Sequence, residues 1–461
     1  MIKFNGNKAE NIKIAYIGGG SRGWAWKLMT DLAMADDISG EIALYDIDYE
    51  ASKKNEIIGN RIKDMDECKS VWNYSAAKTI DEALYGANFV IISILPGTFD
   101  EMYSDVHTPE EYNIYQAVGD TTGPGGIIRA LRTIPMYEVI AKAIEKNCPE
   151  AWVINYTNPM AVCVNTLYRV FPKIKAFGCC HEVFGTQKLL AKMLSEMCGI
   201  ENVKREEIIT NVIGVNHFTW ITSAQYRNID LFSHYREFCL KYADDGYKNG
   251  ADDNWMNNSF QSEEKVKMDL FLRYGFIAAA GDRHLAEFCN KTWYLESPER
   301  VKDMHFGLTS VEYRKKDWAK KFEKSERMVK GEDTFEFSNS GEDGVNQIRA
   351  LLGLHNFVTN INIPNIGQIP NLPKGVVVES NATFRANSAV PVFAGDVPVE
   401  LYSMLSRLAG EQELTVRAGL ERDFDLAFQA FVQDPLCSNL TISDAKKLFD
   451  KMTENTKAYL W

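Results

Sequence analysis

The sequence predicts an α/β protein: a doubly wound parallel sheet followed by a second α+β lobe. Apolar runs of strand length at residues 12–17, 41–46, 87–95, 151–155 and 174–177 alternate with helical patterns. Strands alternating with helices imply parallel pairing through right-handed crossovers. The first run enters a glycine-rich turn that opens a helix at Trp24. Near residue 205 the pattern changes to aromatic-rich helices, charged segments and shorter strands. The expected division is residues 1–205 and residues 206–461, which suits a chain of 461 residues.

The first element is a short buried strand ending in Ile17-Gly18-Gly19-Gly20-Ser21-Arg22-Gly23. Gly18, Gly20 and Gly23 have the G-x-G-x-x-G spacing. Such glycines permit a tight turn and close approach of a pyrophosphate to a helix N-terminus, where free N–H groups favour anions. The second strand ends at Asp46, 23 residues past Gly23. A carboxylate there would accept hydrogen bonds from the ribose hydroxyls of NAD, which makes this a Rossmann-type unit. Asp48 is the competing acid.

Ligands of such sheets lie beyond the carboxyl ends of the strands, and the conspicuous polar segments follow strand ends. Gly119-Asp120-Thr121-Thr122-Gly123-Pro124-Gly125-Gly126 leads into a helix carrying Arg129 and Arg132. Asp120 is its one ionisable group, a candidate site residue or a turn cap. Asn155-Tyr156-Thr157-Asn158-Pro159 follows the next strand and reads as a site loop or a turn. Gly178-Cys179-Cys180-His181-Glu182-Val183 follows the fifth, and Asn216-His217 lies 37 residues beyond Cys180 inside an extended run, 208–225. A thiolate at Cys180 and a neutral imidazole at His217 suit a borderline divalent ion and leave positions open for a substrate. The alternative is a Cys buried as a small hydrophobe.

In the second lobe Gly281-Asp282-Arg283-His284 interrupts an apolar stretch, as a helix start or a site loop. Residues 314–333 are a charge run of the kind found on solvated helix faces. The turn-rich segment 365–373 is expected over the cleft, and 394–461 reads as amphipathic helices for core and subunit contacts.

Composition bounds the function. A formal net charge of −12 argues against nucleic-acid binding, which rests on phosphate neutralisation. It leaves room for an anionic substrate held by a local Arg cluster. Nine scattered cysteines fit a reducing compartment rather than a disulfide framework. There is no signal peptide pattern and no apolar run long enough to span a membrane, so a cytoplasmic location is expected.

Taken together, these segments resemble glycoside hydrolase family 4, the NAD- and divalent-metal-dependent glycosidases, over essentially the whole chain. The resemblance rests on the glycine turn, Gly119 to Gly126, Asn155 to Pro159, Cys180-His181-Glu182-Val183, Asn216-His217, and Asn371-Leu372-Pro373 followed by Val378-Glu379. The Cys-His-Glu-Val form is similar to that of the α-galacturonidases, whereas members acting on phosphorylated sugars carry Asn or Asp where His181 stands.

The resemblance implies a lactate/malate-dehydrogenase-like fold and a route that departs from the usual pair of carboxylates. NAD takes a hydride from C3 of the sugar, a base removes the acidified C2 proton, and the C1–oxygen bond breaks by elimination. Water then adds and the hydride returns. The metal, Mn²⁺ by family expectation, chelates the C2 and C3 oxygens. By motif, Gly18, Gly19, Gly20, Ser21, Arg22, Gly23 and Asp46 bind NAD, Cys180 and His217 hold the metal, Asn158 and His181 contact the sugar, and Asp120 is the acid. Asp282 is the candidate base with Tyr274 behind it. A uronate needs a cation that binds carboxylate bidentately, for which Arg283 comes first, then Arg129 or Arg132. Glu182 has no assigned role. The implied partner is a uronic-acid glycoside or oligosaccharide, and the implied assembly a homodimer or homotetramer. An α-glucuronidase or α-glucosidase of the same family is the near alternative. A 2-hydroxyacid dehydrogenase or a non-catalytic NAD sensor would have no use for Cys180.

Overall fold

A computed structural model describes residues 1–248, 262–308, 310–338 and 340–461. In chain order the strands of the first half are β1 (Lys3–Asn5), β2 (Lys8–Ile17), β3 (Ile38–Tyr45), β4 (Trp72–Ala76), β5 (Phe89–Ile92), β6 (Trp152–Asn155) and β7 (Lys175–Gly178). Those of the second half are β8 (Ile208–Val215), β9 (Phe218–Tyr226), β10 (Ile229–Asp230), β11 (Ile277–Ala278), β12 (Phe357–Pro364), β13 (Val377–Arg385) and β14 (Ser388–Pro391).

Six strands lie parallel in the order β4-β3-β2-β5-β6-β7. This is the Rossmann arrangement, whose order reverses between β2 and β5. β5 is buried at every position, as a strand covered by helices on both faces must be. The expected strands are all present: β2 and β3 begin three to four residues before their apolar runs, and β5 and β6 are shorter than theirs. The helix after the glycine turn is Trp24–Met34.

Among the described residues the second half adds no separate sheet. β12 joins β7 antiparallel at Asn362 opposite Gly178, and β13, β8, β9 and β10 extend the same sheet. One sheet thus crosses residue 205, and its parallel half feeds the site from strand ends. The run 208–225 is not one strand. β8 and β9 pair from Val215–Phe218 outward around the two-residue turn Asn216-His217. His217 holds φ +63°, left-handed backbone that a non-glycine residue adopts at some cost. The turn brings His217 to the sheet end rather than burying it along a strand. Amphipathic helices Val399–Glu421, Phe424–Gln433 and Ile442–Thr456 follow, as their periodicity predicted. Among the described residues no helix is long and apolar enough to cross a membrane.

Candidate functional site

A single cleft of about 1160 Å³ runs from the glycine turn to Asp120, Asn158, His217 and residues 281–284. Its floor is the switch point between β2 and β5. A side chain at Gly18 would place Cβ 2.0 Å from the Ser93 carbonyl oxygen at the end of β5, and Gly18 sits at φ +95°. Only glycine allows the two strand ends to approach so closely.

At this end the Gly20 amide donates to Asp46 Oδ2 at 3.0 Å, and the Asp48 amide to Oδ1 at 3.0 Å. Burial raises the Asp46 carboxyl above its ordinary range, with the two amides opposing. The competing acid Asp48 also lines the cleft and caps the helix Tyr49–Arg61 through the Ala51 amide at 3.1 Å. Arg22 turns onto the aromatic rings of Trp318 and Phe322, at 5.5 and 4.9 Å. The turn, helix start and strand-end acid form a cradle that fits a dinucleotide.

At the other end Asp120, His217 and His284 bring ligand atoms within 4.8 Å of one another. Asp120 enters from the loop before the helix Gly123–Asn147, His217 from the β8–β9 turn, and His284 from the first turn of the helix Asp282–Phe288. Thr121 Oγ lies 2.7 Å from Asp120 Oδ1 and 2.9 Å from His217 Nδ1, and Asn158 Nδ2 donates to Asp120 Oδ2 at 3.3 Å. Burial would raise the Asp120 carboxyl, but His284, His217 and Arg129 hold it well below the usual carboxylate range. Burial and His284 push His217 down to about 3, leaving a neutral imidazole, the form that binds metal. His284 is lowered too, chiefly by burial, and its Nδ1 is buried without a hydrogen bond. One carboxylate and two neutral imidazoles, one with an orphaned nitrogen, fit a divalent transition metal.

Cys180 stands outside that trio and is absent from the cleft lining. It is buried after β7, and Asn216 reaches both its thiol and Glu379. Burial, Glu379 and Glu182 push the thiol well above its ordinary value. A cation beside it would supply the opposite field, since a coordinating thiol is deprotonated outright.

His181 and Glu182 both line the cleft. Burial would lower His181, but Glu342, whose Oε1 is 3.0 Å from Nδ1, more than reverses this and raises it to about 9. Glu182 accepts from the Gly281 amide at 2.7 Å, with His284 Nε2 3.7 Å from its other oxygen. Burial opposes its ionisation, yet the neighbouring histidines bring it to about 2.

Asp282 starts its helix and also lines the cleft, so both readings of that segment hold. Its Oδ1 accepts from the Lys267 amide at 3.0 Å, while Oδ2 is buried without a hydrogen bond. Burial and the neighbouring Glu264 push it up to about 7. Tyr274, the second candidate base, is not on the cleft wall: its ring packs edge-on against Trp220, centroids 6.1 Å apart. Arg132 is also removed as a substrate ligand, because its guanidinium is spent on a fully buried pair with Asp105 and on the Pro96 carbonyl. Arg129 lines the cleft and donates from Nε to Asn158 O at 3.1 Å. Arg283 lines it with its fork turned to the Ala117 carbonyl and, at 3.0 Å, to the Gly307 carbonyl. The loop 365–373 supplies no cleft residue among those described. Asn365 braces it internally through Ile369 O and Leu372 O, both at 2.9 Å.

Three further residues escaped the sequence reading. His284 was read only as part of a tetrapeptide. Glu287 accepts from the Val118 and Gly119 amides at 2.6 and 3.0 Å and so holds the loop that presents Asp120. Arg314 enters the cleft from the helix Val311–Lys330, within the charge run read as solvated.

Two family models match the chain: "Family 4 glycosyl hydrolase" over residues 13–196 and its C-terminal domain over residues 212–437. An α-galacturonidase from Thermoanaerobacterium saccharolyticum is 60% identical over 100% of this chain and 98% of its own length. The crystal structure of a suggested glucosidase from Bacillus subtilis is 51% identical, covers 96% of this chain and 100% of that chain, and superposes with a TM-score of 0.91. A 6-phospho-α-glucosidase from gut microorganisms, solved in complex with NAD and Mn²⁺, shares the fold at 19% identity and a TM-score of 0.80, covering 98% and 99%.

Proposed function

The chain belongs to family 4 of the glycosyl hydrolases, and on that premise we propose that it is an NAD- and Mn²⁺-dependent α-galacturonidase. The observation that carries the reading is the meeting, in one cleft, of a dinucleotide-type glycine turn with an Asp-His-His cluster walled by guanidinium groups. The name and 60% identity of the full-length relative point to the same sugar. Bound NAD supplies a reversible hydride acceptor, and Mn²⁺ a Lewis acid for sugar oxygens.

Residues 18–23 with Asp46 hold NAD. His217 and Cys180 hold the metal, with His284 completing the donor set. Asp282 is the base: raised to about 7, it is poised near working pH to take a proton from carbon. Asn158 and His181 contact the sugar, and Arg283 and Arg129 give the cleft the positive field a uronate requires. Asp120 is the acid by position, under a condition set by its surroundings. Arg129 and the Thr121 hydroxyl keep it ionised, and a substrate carboxylate brought into the cleft raises it by like-charge repulsion. The proposal extends to a two-part chain divided near residue 205, to a homo-oligomer and to a reducing cytoplasm, the last supported by nine cysteines without a disulfide.

The test is hydrolysis of nitrophenyl α-galacturonide by the reduced protein with NAD and Mn²⁺, beside the α-glucuronide, α-glucoside and 6-phosphorylated glycosides. The galacturonide is expected to turn over fastest. Faster turnover of the glucoside or of a phosphorylated sugar would refute the assignment.

A further inference from the structure

We propose that Glu287 is the positioning residue of Asp120, through a clamp that the helix Asp282–Phe288 places on the backbone just before it. This deepens, and rests on, the reading of Asp120 as the acid. Arg283 and Glu287 stand four apart on that helix and so share one face. The face grips three consecutive loop residues. Arg283 donates from Nη2 to the Ala117 carbonyl, and Glu287 Oε1 accepts from the Val118 and Gly119 amides at 2.6 and 3.0 Å. A weaker contact runs from the Gly119 amide to Oε2 at 3.3 Å. Glu287, Ala117, Val118 and Gly119 are all buried, so water cannot replace an acceptor lost there.

Gly119 turns the chain at φ +69°, so the direction in which Asp120 leaves the clamp depends on the amides that Glu287 holds. Beyond Asp120 the loop is held by other residues. Gln116 Oε1 accepts from the Gly125 amide at 2.8 Å, and its Nε2 donates to the Thr122 carbonyl at 3.0 Å. Asp434 Oδ2 accepts from the Gly123 amide at 2.8 Å. Asp120 thus lies between two anchors, and loss of the upstream one leaves the downstream one in place. The clamping helix also carries Asp282 and His284 at its start, both on the cleft wall, whereas Glu287 is not on that wall. One short element therefore sets the loop of the acid against the base and a metal imidazole. Proton delivery to a leaving oxygen depends steeply on such placement.

The experiment uses the full-length enzyme with NAD and Mn²⁺ on nitrophenyl and methyl α-galacturonide. Nitrophenolate departs without a proton and an alkoxide does not, so the kcat/KM ratio, nitrophenyl over methyl, reads the acid. A general loss of structure lowers both rates and leaves the ratio alone. Asp120→Asn, the control, should raise the ratio on the order of a thousandfold. Glu287→Met, which keeps length and loses both acceptors, should raise it on the order of a hundredfold. Glu287→Gln keeps an oxygen for both amides and gives up the 3.3 Å contact, so it should change the ratio no more than roughly threefold. If Glu287→Met does not fold, Glu287→Asp decides: one carbon shorter, it should raise the ratio roughly tenfold. A ratio that moves in Asp120→Asn and not in the Glu287 variants overturns the inference alone, as does a Glu287→Gln ratio equal to that of Glu287→Met. An unmoved ratio in Asp120→Asn, even with both activities lost alike, removes Asp120 as the acid and the inference with it.

Discussion

The imidazoles of His217 and His284 face each other with ring centroids 3.8 Å apart and planes 36° from parallel. One is carried by a hairpin turn in left-handed conformation, the other by the first turn of a helix 67 residues on. Burial and His284 hold His217 neutral, burial chiefly lowers His284, and Asp120 lies in reach of both. Sequence spacing alone had paired His217 with Cys180.

Metal titration separates these partners. His284→Ala should weaken Mn²⁺ binding on the order of a hundredfold if His284 is a ligand, measured as free Mn²⁺ by electron paramagnetic resonance. In the same titration Cys180→Ser assigns the thiol. A comparable loss makes it a ligand, and an unaltered affinity removes it from the set.

Asp282→Asn should lower kcat about a thousandfold, in the range of general-base losses, while NAD and Mn²⁺ still bind. Tyr274→Phe should stay near normal turnover, because that ring packs on Trp220 away from the cleft. The reverse pattern would move the base to the tyrosine.

Gly18→Ala should abolish NAD binding or folding, since its Cβ falls 2.0 Å from a carbonyl oxygen of β5. Asp46→Ala should fold and weaken NAD roughly tenfold, about the worth of one hydrogen bond to a charged group. Calorimetry with NAD checks both, and equal NAD affinity in Asp46→Ala would displace the carboxylate from its role.

The His181–Glu342 pair makes a pH prediction. Glu342 raises His181 above its ordinary value to about 9, so protonated His181 stabilises the folded state. For a raised basic group that stability is full below the unfolded pKa of about 6.5. It is lost as pH rises through about 9. Thermal unfolding of the wild type and Glu342→Gln should therefore differ most near pH 6.5 and converge above pH 9. A constant difference across that window would contradict the pairing.

Local rules made the nucleotide end legible. The glycine spacing, the strand-end acid and the helix start all act within about thirty residues, and the competing Asp48 caps a helix three residues away. The sugar end was legible only as segments. Which Arg faces substrate depends on contacts such as Arg132 with Asp105 and Arg283 with Gly307, which no periodicity encodes. Arg314 was hidden because a charged helix reads as solvated whichever stripe faces inward. Glu287 was hidden because its partners lie 168 and 169 residues away.

The most direct test of the central claim is hydrolysis of a galacturonide in D₂O, read by mass spectrometry and NMR at C2 of the released sugar. Elimination with Asp282 as base predicts deuterium at C2, with NAD needed only in catalytic amount and no net build-up of its reduced form. Turnover that leaves C2 fully protonated, or that accumulates reduced nicotinamide in step with product, would contradict it.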